Sequence, residues 1–441
     1  MTRKLALGIL LCSAVAHADG PTELTIAQFD PSQAVAPISV VEGPGVKIGE
    51  GTVLHPVFGM ETGFVSNVFY NETAKPAGLL RLMAQVGVAS LNAQRLNPNA
   101  PNQRDEDTGT YDKGSIQYNA NARLAWDQPL STDDTVTGTS GLGVGALFHA
   151  MVAPMDPVTF GIREDFLRSI RASNFETPEN VNRDINVLRL LLLLHPSGRS
   201  LSAYLYYDNT IDVFENNQGL YPDRISHRVG LHPTMQLFPR TQVYGDFSWG
   251  INSGLGNAAA TQTKVDSYPL NLRLGLSTLL TLKTTFNISA GYTNGFYSSG
   301  PSYQRPLFDT AVTYRYSPLG RIGIGYDYVH IDSVNANYYR DHTIRLTIQQ
   351  LFVPFALMFE PELHFREYNG VTLVGASSSV RDDVIFQVVG GIHYNYRTWF
   401  AVTADYKFST VQTDFTYMSG ADTVDLNYTR HELLAGLRIA L

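Results

Sequence analysis

The chain has 441 residues, 44% of them hydrophobic and 11% aromatic, with 37 glycines, a single cysteine and a formal net charge of −8. The acidic balance argues against a nucleic-acid partner, and one thiol excludes disulfides and thiolate metal centres within the chain. No apolar run beyond the N-terminus reaches the ~18 residues of a spanning helix; the longest is Leu188 to Leu194.

Arg3 and Lys4 precede the apolar stretch Leu5 to Val15 and the small-x-small site Ala16-His17-Ala18. Residues 1–18 therefore read as a secretory signal peptide, cleaved before the protein reaches a bacterial outer membrane. Residues 19–51, punctuated by Pro21, Pro31, Pro37 and Pro44, hold no period and read as a periplasmic or lumenal segment.

From residue 52 to 441 the pattern changes to period two. It is cleanest over Leu270 to Tyr292, where Leu270, Leu272, Leu274 and Leu276 alternate with Asn271, Arg273, Gly275 and Ser277. After a tight connection, Phe286, Ile288, Ala290 and Tyr292 alternate with Asn287, Ser289 and Gly291. Successive side chains of a strand point to opposite faces, and about ten residues per arm cross a bilayer at a tilt. The alternation recurs from Pro56–Ser66 to Arg430–Leu441 in about eighteen segments. Short turns, such as Phe238–Arg240 and Ser317–Gly320, alternate with longer polar loops, such as Gly295–Pro306 and Asp332–His342. Asn92–Gly114 is long where a short turn is due. The pattern predicts an all-β fold, a transmembrane antiparallel up-and-down β-barrel of about 18 strands, apolar towards outer-membrane lipid and polar towards a lumen.

Trp126, Trp249, Tyr328 and Phe408 are expected outward near one rim, and Tyr316, Tyr394 and Tyr396 near the other, as membrane–water boundaries favour. The last strand places Leu437, Ile439 and Leu441 outward and resembles the signal read by barrel-assembly machinery, with Leu441 where Phe is usual.

The polar face carries charge of both signs. Arg273, Lys283, Arg315 and Arg345, with Asp327 among them, are expected to line one wall as a basic stripe, and a fixed lumenal charge of that kind sets selectivity. The alternative is that such charges brace neighbouring strands. Glu360, Glu362, His364 and Arg366 share one face of one strand, with His393 expected near Glu360. Carboxylate and imidazole at alternate positions can hold a divalent cation; Arg366 argues against it, and no metal or cofactor is predicted. Inward His149 and His232 have no nucleophile that the sequence places beside them, and no G-x-S-x-G occurs, so no catalytic residues and no enzyme activity are predicted.

The first strand, VLHPVFGMETGFVSNVFYNE, resembles the opening of the β-barrel porin-2 family on Gly63, Asn67, Val68 and Phe69, with Ser66 where Asp is frequent. The resemblance implies a passive outer-membrane conduit for export of a surface polysaccharide, fed by a periplasmic export protein. The alternative reading is a general or anion-leaning diffusion porin for small hydrophilic solutes.

Overall fold

The computed structural model describes residues 45–48, 52–90, 116–153, 156–170, 182–194, 200–215, 221–255, 264–373, 375–419 and 422–441. The signal peptide, most of the segment before residue 52 and the long connection 91–115 lie outside these residues.

The first strands are β1 (Val46–Ile48), β2 (Thr52–Val65), β3 (Ala77–Ser90), β4 (Ile116–Leu130), β5 (Gly141–Val152), β6 (Val158–Ser169) and β7 (Asn182–Leu194). Next come β8 (Leu201–Glu215), β9 (Arg224–Phe238), β10 (Thr241–Gly254), β11 (Leu270–Thr281), β12 (Thr284–Asn294), β13 (Gln304–Ser317) and β14 (Gly320–Asp332). The last are β15 (Tyr338–Phe352), β16 (Phe355–Asn369), β17 (Val380–Arg397), β18 (Phe400–Thr413), β19 (Thr416–Ser419), β20 (Asp422–Asp425) and β21 (Tyr428–Ala440). From β2 to β18 each strand pairs antiparallel with the next; β21 pairs with both β18 and β2 and closes the ring. The result is a closed 18-strand antiparallel barrel, as period two and the alternating connections predict. Closure matters because bilayer hydrocarbon cannot satisfy the backbone groups of a free strand edge.

Three elements were not anticipated. β1, inside the segment read as irregular, pairs with β2 through Val46↔Leu54, and Gly45 N donates to Leu441 O at 3.2 Å. It continues the sheet beside β2 at the point where β21 ends. The short helix α1 (Asp134–Thr137) is capped by Asp133, whose side chain accepts from Thr135 N. β19 and β20 form a separate hairpin within the last long connection.

Two-residue turns at 239–240, 282–283, 318–319, 353–354 and 398–399 mark one rim. The opposite rim carries the longer connections, and there the expected loop Asp332–His342 is mostly strand, leaving only 333–337 as a tip. That tip is drawn inward. Val334 packs with Phe214 of β8 and with Tyr221, on a different part of the wall. Asn335 O accepts from Thr372 N, and Asn337 Nδ2 donates to Ser299 O and Pro301 O. Leu373, Phe415, Tyr417 and Leu426 form a further apolar cluster among these connections. The long-loop mouth is thus partly covered by its own loops.

Outside, the barrel presents an apolar face: Leu274 is 65% and Ile324 56% exposed in the isolated chain, and Leu437, Ile439 and Leu441 are exposed as expected. Lipid is their natural solvent. The aromatic residues expected outward lie on that face, Trp126, Trp249, Tyr328 and Phe408 in the long-loop half of their strands and Tyr316, Tyr394 and Tyr396 near short turns. Sequence reasoning missed a repeated feature on the same face. Tyr207–His227, Tyr326–His342 and Tyr406–His431 are the same diagonal pair on three hairpins, each with a hydroxyl–Nδ1 hydrogen bond of 2.8 to 2.9 Å. On an apolar face each hydroxyl and ring nitrogen then satisfies the other while the ring bodies face outward. Outward polarity also appears at the long-loop end of β6 to β8, where Arg168 holds Glu215 at 2.7 Å and lies 3.9 Å from Asp184.

The topology makes a labelling prediction. Tags inserted at Ser302 and Ser378 lie in long connections, and a tag at Ser317 lies at a short-turn end. Impermeant reagents on intact cells should reach the first two and miss the third; equal access to all three would contradict the barrel orientation.

Candidate functional site

The inward face is a wall of charge held in pairs. Because facing residues on adjacent strands alternate in register, an inward Arg on one strand meets inward carboxylates directly opposite or diagonally, within side-chain reach. Arg81 on β3 holds Asp127 on β4 at 2.6 Å and lies 3.5 Å from Glu61 on β2, which pairs in turn with Arg438 on β21. Further round, Arg189 holds Asp208 at 2.7 Å and Arg183 holds Asp212 at 2.6 Å, with Arg224 on the other side of Asp212. Sequence analysis passed over Arg183, Arg189, Arg224, Asp127 and Asp212. Extending the parity of their neighbours along each strand would have found them.

The expected basic stripe is corrected. Arg273 is buried and bound to Asp309 at 2.9 Å; Arg345 pairs with Glu362 and lies 3.8 Å from Asp327. Lys283 sits in the two-residue turn between β11 and β12, and Arg315 stands exposed at the same rim, joined to it through Arg315 N to Lys283 O. Strand ends carry these two out of the wall, and partners neutralise the other two. We predict that Arg273→Gln or Arg345→Gln lowers thermal stability, because a buried carboxylate loses its partner. The pair Lys283→Gln and Arg315→Gln should leave melting unchanged and shift ion selectivity towards cations, most strongly at low salt. Bilayer reversal potentials and heat-modifiability on gels check the two outcomes.

Glu360, Glu362, His364 and Arg366 do share one inward face of β16, and they form a brace. His364 Nδ1 lies 3.1 Å from Asp341 and 3.0 Å from the Thr343 hydroxyl; its Nε2 approaches Glu362 at 3.5 Å without hydrogen-bond geometry. Arg366 holds Asp341 at 2.7 Å and lies over the Tyr339 ring at 4.3 Å. Glu360 accepts from Gln349 Nε2 at 3.2 Å. His393 is not near Glu360: register places it opposite Ala356, and its Nε2 meets Asp405 at 2.9 Å. Among the described residues no group of three or more His, Cys, Asp or Glu side chains could hold a metal ion.

Gly63, Asn67, Val68 and Phe69 seal the barrel rather than line a passage. A Cβ at Gly63 would overlap the Leu433 carbonyl of β21, so glycine lets the first and last strands meet. Asn67, fully buried, donates to Asn71 O at 2.7 Å, while its own carbonyl accepts from Arg430 at 2.8 Å. Val68 packs with Val65, Leu79, Val136 and Leu434, and Phe69 lies against that cluster.

At the covered mouth, Asp332 gathers Lys264 at 2.8 Å, Tyr297 Oη at 3.0 Å and Arg224 at 3.5 Å. Burial and the neighbouring Asp332 carboxylate hold the Tyr297 hydroxyl well above its usual pKa, so it stays a hydrogen-bond donor. Some inward guanidinium nitrogens lack a hydrogen-bond acceptor among the described residues. Arg228 faces Asp208 across β8–β9, but Asp208 is taken by Arg189, and Arg228 Nη1 is buried with no acceptor among the described residues; Arg123 Nε likewise lacks an acceptor there.

The class defined by this fold and wall is a transmembrane β-barrel with a charged, polar lumen. The chain is similar in structure to OpdQ of Pseudomonas aeruginosa (9% identity, 89% of this chain and 98% of the other covered, TM-score 0.44) and to OccAB4 of Acinetobacter baumannii (12%, 88% and 98%, 0.45). It is also similar to the siderophore receptor PirA of Pseudomonas aeruginosa (7%, 88% and 80%, 0.41). No family model and no curated protein matches the sequence.

Proposed function

We propose that the protein is a bacterial outer-membrane channel through which small hydrophilic solutes diffuse, with a lean towards anions. The observation that supports it is the inversion of polarity across one layer of sheet: an apolar outer face and an inner face of paired charges and polar side chains. Water and hydrated solutes are the contents such a wall accommodates at least cost. The anion lean is drawn chiefly from Arg228, whose register partner Asp208 is already held by Arg189.

The conduit for surface polysaccharide, implied by the first-strand resemblance, draws less support. A polymer needs a mouth that stays wide, and the 333–337 tip reaches across to Phe214 and Tyr221. The motif that carries the resemblance is occupied in sealing β2 to β21.

Purified protein reconstituted in planar bilayers should give stepwise ionic conductance, and liposomes containing it should swell in small sugars and amino acids. Arg123→Gln with Arg228→Gln should move the reversal potential towards cations. Absence of conductance from folded, heat-modifiable protein would overturn the channel reading.

A further inference from the structure

The inner wall of β8 to β11 holds a run of aromatic rings that charge pairing does not explain. Tyr204 of β8 and His232 of β9 face each other in register and stack at 4.6 Å with planes 14° apart. His232 and Tyr244 of β10 continue the run at 5.6 Å and 15°. Three near-parallel rings therefore cross three adjacent strands like overlapping tiles: Tyr204 and Tyr244 are half-buried at the lumen surface, and the His232 side chain, stacked between them, is 11% exposed.

Glycine lets the last of them lie along the wall. Tyr244 faces Gly275, where a Cβ would overlap the ring, and the neighbouring Tyr206 covers Gly230 in the same way. Beyond Gly275 the register continues through Ser289, and Ser277 faces Asn287, so the wall past the last ring is small and polar. The rings are fixed from beneath. Asp246, 2% exposed, lies 3.2 Å from His232 Nδ1 and accepts from the Tyr206 hydroxyl at 3.2 Å.

We propose that this surface is a saccharide-binding subsite, taking the face of a pyranose ring on Tyr204 and Tyr244, which His232 holds apart and aligned, as solutes pass. The inference rests on the channel reading and names its substrate class. A pyranose presents an apolar C–H face and a polar hydroxyl edge. Flat rings desolvate the first, while Ser277, half-buried on the wall beyond Gly275, is placed for the second. A wholly apolar ligand gains nothing from the polar flank. The three rings also span more than one sugar unit, so an oligosaccharide should bind more tightly than a monosaccharide.

Maltotriose is the probe, with sorbitol as a hydroxylated control that has no ring face. In bilayers, maltotriose should interrupt the current of the wild-type channel in a concentration-dependent way, and sorbitol should not. Tyr204→Leu with Tyr244→Leu, which keeps apolar bulk on the wall, should weaken the block by about tenfold, the loss expected when stacking worth roughly 1.4 kcal/mol is removed. Calorimetric titration of maltotriose into detergent-solubilised protein reads the same site without requiring conductance. Wild-type binding that is lost in the double variant supports the subsite. An open channel that maltotriose neither blocks nor binds, or a block equal in wild type and variant, overturns it. Binding without conductance would overturn the channel reading and leave the subsite standing.

Discussion

Replacing Arg438 by Ala is expected to cost the barrel about 3–5 kcal/mol, the penalty for stranding a buried charge. Its partner Glu61 is 1% exposed, Arg438 is equally buried, and the pair joins the last strand to the first. Arg81 cannot take over. It is already committed to Asp127 at 2.6 Å and meets Glu61 only at 3.5 Å. The double variant Glu61→Gln, Arg438→Met should recover much of the loss, since neither remaining group is charged. Urea unfolding in detergent micelles or lipid vesicles measures both. A single variant as stable as wild type would show that backbone pairing alone holds β21 to β2.

Arg at Leu274 or Ile324 should destabilise the barrel by about 2–4 kcal/mol each, because both sit outward near mid-strand, where a guanidinium must enter hydrocarbon. The inward control is Ser277, half-buried on the lumen wall, where Arg should be accommodated. Ser289 is not an equivalent control, although alternation places it on the same face. It is 1% exposed and its hydroxyl donates to Asp309, which already holds Arg273. Arg there would enter a filled ion-pair site. Equal damage at Leu274 and Ser277 would mean that the sheet is covered on both faces.

Much of the architecture was legible along the chain. Leu270 to Leu276 against Asn271 to Ser277 announces both faces of β11, and the same parity puts Arg273 and Arg366, both buried, on the face opposite the exposed apolar residues. Period two is a property of one extended backbone, so no knowledge of neighbours is needed to read it. The strand count followed from where alternation breaks, and the aromatic rims from which ends those breaks mark.

The candidate site was legible only as an inventory. Alternation says that Arg345, Asp327 and Glu362 face inward; it cannot say that they neutralise one another, because that depends on register between strands and on diagonal reach. Lys283 looked inward by the same arithmetic, yet the two-residue turn that joins β11 to β12 lifts it off the wall. The Tyr204–His232–Tyr244 stack draws on three strands separated by loops, and no local pattern links its members. The mouth is the furthest case: Val334 meets Phe214 and Tyr221 only because the barrel has curved round to bring them together. Sequence by itself determined the barrel, its two faces and its approximate strand number, since each rests on backbone geometry repeated locally. Tertiary structure alone decided which charges pair, where rings overlap and how far the mouth is covered, since each depends on side chains from distant strands meeting across a closed wall.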